Sequence, residues 1–320
     1  MLSKSLLCGG IAVSALLMLS GCAPTSYAVK TPQPSSTSYT AESQAGNVGF
    51  VDSRGMGERT FNTGVLPATL TVNGAPLNGA EYLKAGVEAE LAARGLPVRF
   101  GDAAVFPKVD LRSFRMLNHR QNGYSPYVTF TFISADVETA AGKKRIGVFV
   151  KRGKVPVWSF AEVVEPTMNE PLSIAVKEFS AKVARELYGA RASDADVDAL
   201  IARLAKPGDE QYLDIYALGF TNHPKAVDTL ARLAKDDHEY VRIAAISSLG
   251  TLRASEHLDL LKDISRNAQT WQDRAMALKA IGDLDTAESR AFIAEQKAYW
   301  QGKPAEKESN WTLQVLDLYP

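Results

Sequence analysis

A repeat with a period of 31 or 32 residues runs through the second half of the chain, and it constrains the fold more than any other feature. Leu218-Gly219, Leu249-Gly250 and Ile281-Gly282 recur at this spacing. Three further apolar positions keep nearly the same offset: Leu230, Leu261 and Ile293. A fixed period near thirty with two helices per unit predicts a helical solenoid, in which each unit buries its apolar face against its neighbours.

Two of the units resemble the short HEAT-like repeat. One is the stretch 240–250, with Arg242-Ile243-Ala244-Ala245, and the other is 271–282, with Arg274-Ala275-Met276-Ala277. The unit at Tyr212 has no matching arginine. The resemblance implies an all-α HEAT-like repeat domain over residues 192–320. We expect the small residues to let neighbouring helices approach, and each repeat glycine to end its first helix with a positive φ.

Residues 47–191 have the pattern of an α+β domain. Short strands are predicted near Val48 and at 68–72, and longer ones at 108–117, 127–138 and 143–151, where β-branched and aromatic residues alternate. Helices are predicted from Gly79 to a stop at Gly95, and over 170–188. This order predicts an antiparallel sheet with two helices on one face. The layout, with Asp52-Ser53-Arg54, resembles small outer-membrane lipoproteins such as the accessory lipoprotein of lipopolysaccharide export.

The amino terminus has the pattern of a secretory signal. Lys4 precedes an apolar run that ends in Leu19-Ser20-Gly21-Cys22, and the run is too short to span a bilayer. These four residues resemble the lipobox of bacterial lipoproteins. The resemblance implies that residues 1–21 are a signal peptide and that Cys22 carries acyl chains, including palmitate. Ala23 then favours the outer membrane, facing the periplasm. The alternative is an ordinary signal peptide with an incidental cysteine.

The next segment, residues 22–46, is rich in proline, serine and threonine and shows no hydrophobic period. Such a segment buries too little apolar surface to order itself. We therefore predict a disordered tether between the lipid anchor and the folded domains.

Composition and motifs argue against several kinds of chemistry. Lys and Arg number 36 and Asp and Glu 36, so no excess of basic residues indicates nucleic-acid binding. The only cysteine besides Cys22 is Cys8, which lies within the signal. His238 with its acidic neighbours is either a weak cation site or a solvated turn, and it lacks the second histidine of a zinc motif. The sequence predicts no catalytic residues, no metal and no cofactor.

Two groups of residues are candidates for contact with a partner or with lipid. The basic hairpin residues Lys143, Lys144 and Arg145 could meet anionic head groups, or they could be solvated edge cations. The aromatic residues Trp271, Trp300 and Trp311 could form a partner-binding patch or cap the end of the solenoid.

Together these features predict a non-enzymatic lipoprotein anchored to the outer membrane. We expect it to act as a periplasmic protein-binding scaffold or adaptor whose protein partner the sequence does not name. The alternative is an accessory factor in lipid or lipopolysaccharide transport to the outer membrane. A third hypothesis, an unrecognised hydrolase, has no motif to support it.

Overall fold

The computed structural model describes residues 26–59, 61–65, 68–155, 157, 161–206 and 208–320. The predicted signal peptide and Cys22 lie outside these residues. The strands are β1 Ser26–Ala28, β2 Asn47–Asp52, β3 Asn62–Gly64, β4 Thr69–Val72, β5 Ala75–Pro76, β6 Arg99–Gly101, β7 Lys108–His119, β8 Tyr127–Thr139 and β9 Gly142–Lys154. The helices are α1 Gly79–Ala93, α2 Ala161–Val164, α3 Glu170–Tyr188, α4 Asp194–Arg203, α5 Gln211–Gly219, α6 Val227–Leu233, α7 Glu239–Thr251, α8 Leu258–Asn267, α9 Trp271–Leu284, α10 Ala287–Gln301 and α11 Lys307–Leu316. An α+β domain followed by an all-α repeat domain is confirmed.

The main sheet is mixed, whereas the sequence predicts an antiparallel one. Its order is β6-β2-β7-β8-β9, and β3 pairs with the far half of β7. β7, β8 and β9 are antiparallel neighbours, but β2 runs parallel to both β6 and β7. The difference arises because α1 lies between β2 and β6 in the chain, and a crossover through a helix brings the chain back to pair in parallel.

Helices α1 and α3 cover one face of the sheet. α1 packs on α3, and α3 packs on β8 and β9. Gly86 allows this close approach, because a Cβ there would lie 2.9 Å from Val176 Cγ1. A π-helical turn, Glu165–Asn169, leads into α3, and Thr129 Oγ1 donates to Thr167 O from β8 (2.6 Å). The predicted pair of helices on one face is therefore present.

The repeat domain covers the opposite face and the free edge of the same sheet. Phe130 and Phe149 pack against Trp271, with ring centroids 5.5 Å and 6.5 Å away. At the β9 edge, Tyr240 Oη accepts from Gly153 N (3.1 Å). Side chains of the repeats thus satisfy backbone groups that an edge strand would otherwise expose.

Residues 26–46, which we call the strap, cross both parts of the molecule. β1 pairs with β4, and Tyr39 N donates to Arg94 O (2.8 Å). Thr40 forms an antiparallel bridge with Arg191, and the buried Tyr39 hydroxyl donates to Phe220 O in the repeat domain. The prediction of a disordered tether over 22–46 is therefore wrong for residues 26–46.

The strap has no continuous hydrophobic stripe, and hydrogen bonds order it together with the buried side chains of Val29 and Tyr39. Lys30 N donates to Asn169 Oδ1, and Ser35 N donates to Glu90 Oε2, both at 2.8 Å. Glu90 also accepts from Arg94 Nε (2.6 Å), and both side chains are buried. Buried polar groups that need partners therefore hold a polar segment in place.

The repeats stack through their first helices, α5, α7 and α9, while α6, α8 and α10 form an outer layer. The repeated arginine links one unit to the next. Arg242 Nε donates to Asp273 Oδ2 (2.9 Å), and its Nη1 donates to Asp236 O in the turn before its own helix (2.7 Å). Arg274 does the same with Glu308 and with Ala268 O.

The prediction that the repeat glycines end helices with a positive φ is wrong. None of Gly219, Gly250 and Gly282 is among the positive-φ residues that the structure describes. They instead allow close contact, since a Cβ on Gly250 would lie 2.5 Å from Ala280 Cα. The left-handed residue comes three positions after each glycine, at Asn222, Arg253 and Asp285. The glycine is thus required by packing, and the turn is made by a different residue.

Candidate functional site

A buried ion quartet joins the two domains. It consists of Glu178 and Lys182 on α3 with Lys279 and Asp283 on α9. Lys182 Nζ lies 2.7 Å from Glu178 Oε1 and 2.6 Å from Asp283 Oδ2. Lys279 Nζ lies 2.9 Å from Asp283 Oδ2 and also contacts Glu178. The four side chains are at most 3% exposed, so two positive and two negative charges balance away from water.

Hydrogen bonds complete the quartet. Tyr319 Oη donates to Asp283 Oδ1 (2.8 Å), and Lys182 Nζ donates to Gly147 O in β9 (2.6 Å). Burial opposes the charged form of Asp283, but the two neighbouring ammonium groups outweigh it and hold its pKa below the ordinary range. Each charged side chain of the quartet pairs with others inside it, so the quartet is an interdomain contact rather than an open reactive site.

The basic hairpin residues are paired with carboxylates. Lys143 Nζ and Arg145 Nε lie 3.0 Å and 2.6 Å from Asp136, and Lys144 Nζ lies 2.6 Å from Asp285. Burial opposes ionisation of Asp136, but hydrogen bonds from Arg145 and Lys143 outweigh it and lower its pKa. A pocket of about 230 Å³ adjoins these residues at the last repeat. Lys144 therefore links the hairpin to the repeat domain, while Lys143 and Arg145 pair within the sheet domain.

The three tryptophans do not form one surface. Trp271 of α9 and Trp311 of α11 pack together against the sheet, with centroids 5.2 Å apart, and Trp271 Nε1 donates to Thr312 Oγ1 (2.9 Å). Trp300 lies on α10 beside Tyr299, whose side chain is 52% exposed. Two of the three predicted contact residues therefore hold the domains together.

Two of the histidines, His223 and His119, lie beside charged side chains. His223 Nε2 lies 2.9 Å from Asp194 Oδ1, and its Nδ1 accepts from Lys225 N (3.2 Å). Beside α11, burial and then the charge of Lys307 lower the pKa of His119. In the part of the chain that the structure describes, no three His, Cys, Asp or Glu side chains converge to hold a metal. Within the same residues, no helix is both long and apolar enough to cross a membrane.

A cleft of about 320 Å³, the junction cleft, opens where the strap, the start of α3 and α5 meet. Its apolar floor is formed by Ile174, Leu213 and Phe220. Three separate parts of the sequence build it, which is why no linear motif marks it. Its volume is at the small end of the range for ligand pockets, about 300–1,000 Å³.

Charged groups line the junction cleft unevenly. Lys30 pairs with Glu165 at 2.7 Å, and Glu170 contacts Arg152 and accepts from Tyr212 Oη. Lys177, half-buried over the floor, forms no ion pair with any carboxylate that the structure describes. Burial lowers the pKa of Lys177, while the charges of Glu90 and Arg94 act on it in opposite directions. An ammonium group in this position would be stabilised by a carboxylate from a bound ligand.

The comparisons with known proteins concern the repeats. Residues 197–282 match the family model of HEAT repeats, and the match runs from within α4 to within α9. None of the curated proteins compared with the chain matches it. A solved structure titled "Crystal structure of uncharacterized protein" covers 52% of this chain and 99% of its own, at 10% identity and a TM-score of 0.30, and supports no conclusion about fold or function.

Proposed function

We propose that this protein is a non-catalytic adaptor, anchored by acyl chains on Cys22 to the periplasmic face of the outer membrane. It binds a segment of a partner protein in the junction cleft. The observation that carries the proposal is the unpaired Lys177 above an apolar floor. The bound segment places an apolar side chain on Leu213 and Phe220 and a carboxylate against Lys177.

Of the stacked first helices, the cleft uses only α5, and its position supports this proposal over a site on α7 and α9. Those helices already contact the chain's own sheet domain, as the quartet and the Tyr240–Gly153 hydrogen bond show. The junction cleft is open to solvent and is shaped by both domains and the strap. A partner bound there would contact both domains and the strap, so its binding would require the assembled molecule.

The alternative, an accessory factor in lipid or lipopolysaccharide transport, is favoured by no specific contact. Its sequence support is the layout of the first domain and the basic hairpin, and each of the hairpin cations has a carboxylate partner within 3.0 Å. The small volume of the junction cleft also suits a peptide segment better than a lipid with several acyl chains.

Site-specific photocrosslinking in cells tests the adaptor function. A photoreactive residue at Leu213 should give one discrete adduct with a partner protein, and Lys177→Gln should reduce that adduct at least several-fold. Lys225→Gln is the matched control, because Lys225 lies on the outer surface in a solvated pair with Asp198 (2.7 Å). Adducts that form equally in wild type and Lys177→Gln would contradict the proposed site.

A further inference from the structure

One end of the main sheet combines exposed apolar residues with the start of the strap. β3, β7 and β9 end there and β8 begins there, at Gly64, His119, Lys154 and Tyr127. We call this the anchor-side end. Three of its residues are exposed: Val65 by 54%, Tyr124 by 97% and Val155 by 55%. Val65 follows β3, Tyr124 lies in the loop between β7 and β8, and Val155 follows β9. Neighbouring strands of a sheet are about 4.8 Å apart.

The strap begins beside this end. Ser26 pairs with Thr69 in β4. The preceding carbonyl, Ala68 O, accepts from Asn62 Nδ2 in β3 (3.0 Å), and Asn62 Oδ1 accepts from Asn118 Nδ2 at the end of β7 (2.9 Å). A short series of hydrogen bonds therefore connects the first described residues of the chain to the anchor-side end.

The chain between Cys22 and this end is short. Four residue steps separate Cys22 from Ser26, and an extended chain spans at most about 3.6 Å per residue, or about 14 Å in all. Because the strap is fixed from Ser26 onward, the expected 25-residue spacer is not available to hold the body away from the bilayer.

We propose that the anchor-side end lies on the surface of the lipid bilayer, with Val65, Tyr124 and Val155 at the level of the head groups. This inference rests on acylation of Cys22, which is part of the proposed function. Tyrosine is favoured at a membrane interface because its ring is amphipathic. The stretches 61–65, 118–128 and 153–155 contain Arg120 and Lys154 and no Asp or Glu, so they also suit an anionic lipid surface.

The same geometry directs the basic hairpin away from the membrane. β9 runs for thirteen residues from Gly142 to Lys154, which is about 40 Å at 3.3 Å per residue. Lys143, Lys144 and Arg145 therefore lie at the far end of the sheet, beside the last repeats. The bilayer that holds the anchor is out of their reach.

Depth-dependent quenching on the full-length, acylated protein tests this orientation. The acylated Cys22 has no free thiol, so Gln121→Cys and Ala141→Cys each introduce one labelling site. They are placed in exposed loops at opposite ends of the sheet. The protein is reconstituted in vesicles of phosphatidylethanolamine and phosphatidylglycerol that carry nitroxide-labelled lipid. We expect the label at 121 to lose most of its fluorescence and the label at 141 to lose none.

A second variant separates side-chain contact from mere proximity. Tyr124→Asp with Val155→Asp should reduce quenching at 121 while the acyl mass on Cys22 is unchanged. Equal quenching of the two labels, or stronger quenching at 141, would overturn the orientation while leaving the anchor intact. Absence of acyl mass on Cys22 would overturn the anchor, and the orientation with it. Photocrosslinking at Leu213 reports on the cleft independently of both.

Discussion

The same 31- or 32-residue spacing predicts both helices of each repeat, but the first and second helices lie in very different surroundings. α7 buries ten of its thirteen residues, between the neighbouring first helices and the sheet domain. α8 buries three of its ten residues, all on one side. The inner layer, α5, α7 and α9, therefore holds the sheet domain, while the outer layer, α6, α8 and α10, faces water. Repeats of this kind can use most of their inner surface to bind the rest of their own chain.

The largest difference in stability should be found when one positive charge is introduced into the inner layer and, for comparison, into the outer layer. Ala245 in α7 is fully buried, and Ala245→Arg would overfill the seam and leave a guanidinium without a carboxylate. We expect a loss of about 5 kcal/mol in the free energy of unfolding. Ala294→Arg, at an exposed alanine of α10, is the matched control and should change it by less than about 0.5 kcal/mol. Similar urea unfolding curves for the two variants would contradict the assignment of the inner layer.

Removing one charge from the ion quartet should reduce the free energy of unfolding by nearly as much. Lys279→Met leaves Lys182 alone with two buried carboxylates, and removing one partner from a buried ion pair costs about 3–5 kcal/mol. Lys225→Met removes a solvated ion from the outer surface and should cost about 1 kcal/mol or less. Denaturant titration compares them directly, and a Lys279→Met protein as stable as Lys225→Met would show that the quartet is not buried.

A single methyl group tests the close approach at the repeat glycines. Gly250→Ala would place a Cβ 2.5 Å from the backbone of Ala280, so neighbouring helices must move apart. Overpacking of this size costs about 1–3 kcal/mol. Gly302→Ala, after the outer helix α10, meets its first neighbour at 3.5 Å and should be nearly neutral. Thermal melts that rank the two in the opposite order would contradict the packing role.

The sequence predicted what is periodic or local, and failed where distant residues cooperate. The 31- or 32-residue spacing identified the helix pairs, but it could not distinguish a glycine needed for packing from one needed for a turn. The clue lay three residues later, at Asn222 and Asp285, whose side chains tolerate the left-handed conformation. The parallel pairing of β2 depends on the crossover through α1, which strand propensity does not report.

Polar contacts over long sequence distances account for the other failures. The sequence predicts disorder in the strap because its few apolar residues show no period. Their burial is supported by hydrogen bonds to Asn169, Glu90 and Arg94, which are distant in the sequence. The two halves of the quartet are about a hundred residues apart, although each is visible as a charged i, i+4 pair within an apolar stripe. The junction cleft needs three separate segments, so Lys177 had no signal of its own.

The smallest expected effect is that of mild acid. The pKa of Asp283 is lowered in the folded state, so its contribution to stability is present above its ordinary value of 3.8 and is lost as the pH falls through the folded value. The contribution of Asp283 to stability should therefore change little from pH 7 to about 5 and should decline below 3.8. Asp283→Asn, compared with wild type by denaturant titration at each pH, should flatten that decline. If the decline of stability with falling pH is unchanged in Asp283→Asn, other carboxylates are responsible for it.

Unfolding cooperativity tests most directly whether the inner layer binds the sheet domain as one body. The unlipidated chain is heated while circular dichroism follows the helices and fluorescence follows the tryptophans, which include Trp271 and Trp311 at the boundary. We predict a single transition, with coincident midpoints from both signals and equal calorimetric and van't Hoff enthalpies. Two separated transitions, one for the repeats and one for the sheet, would contradict the account.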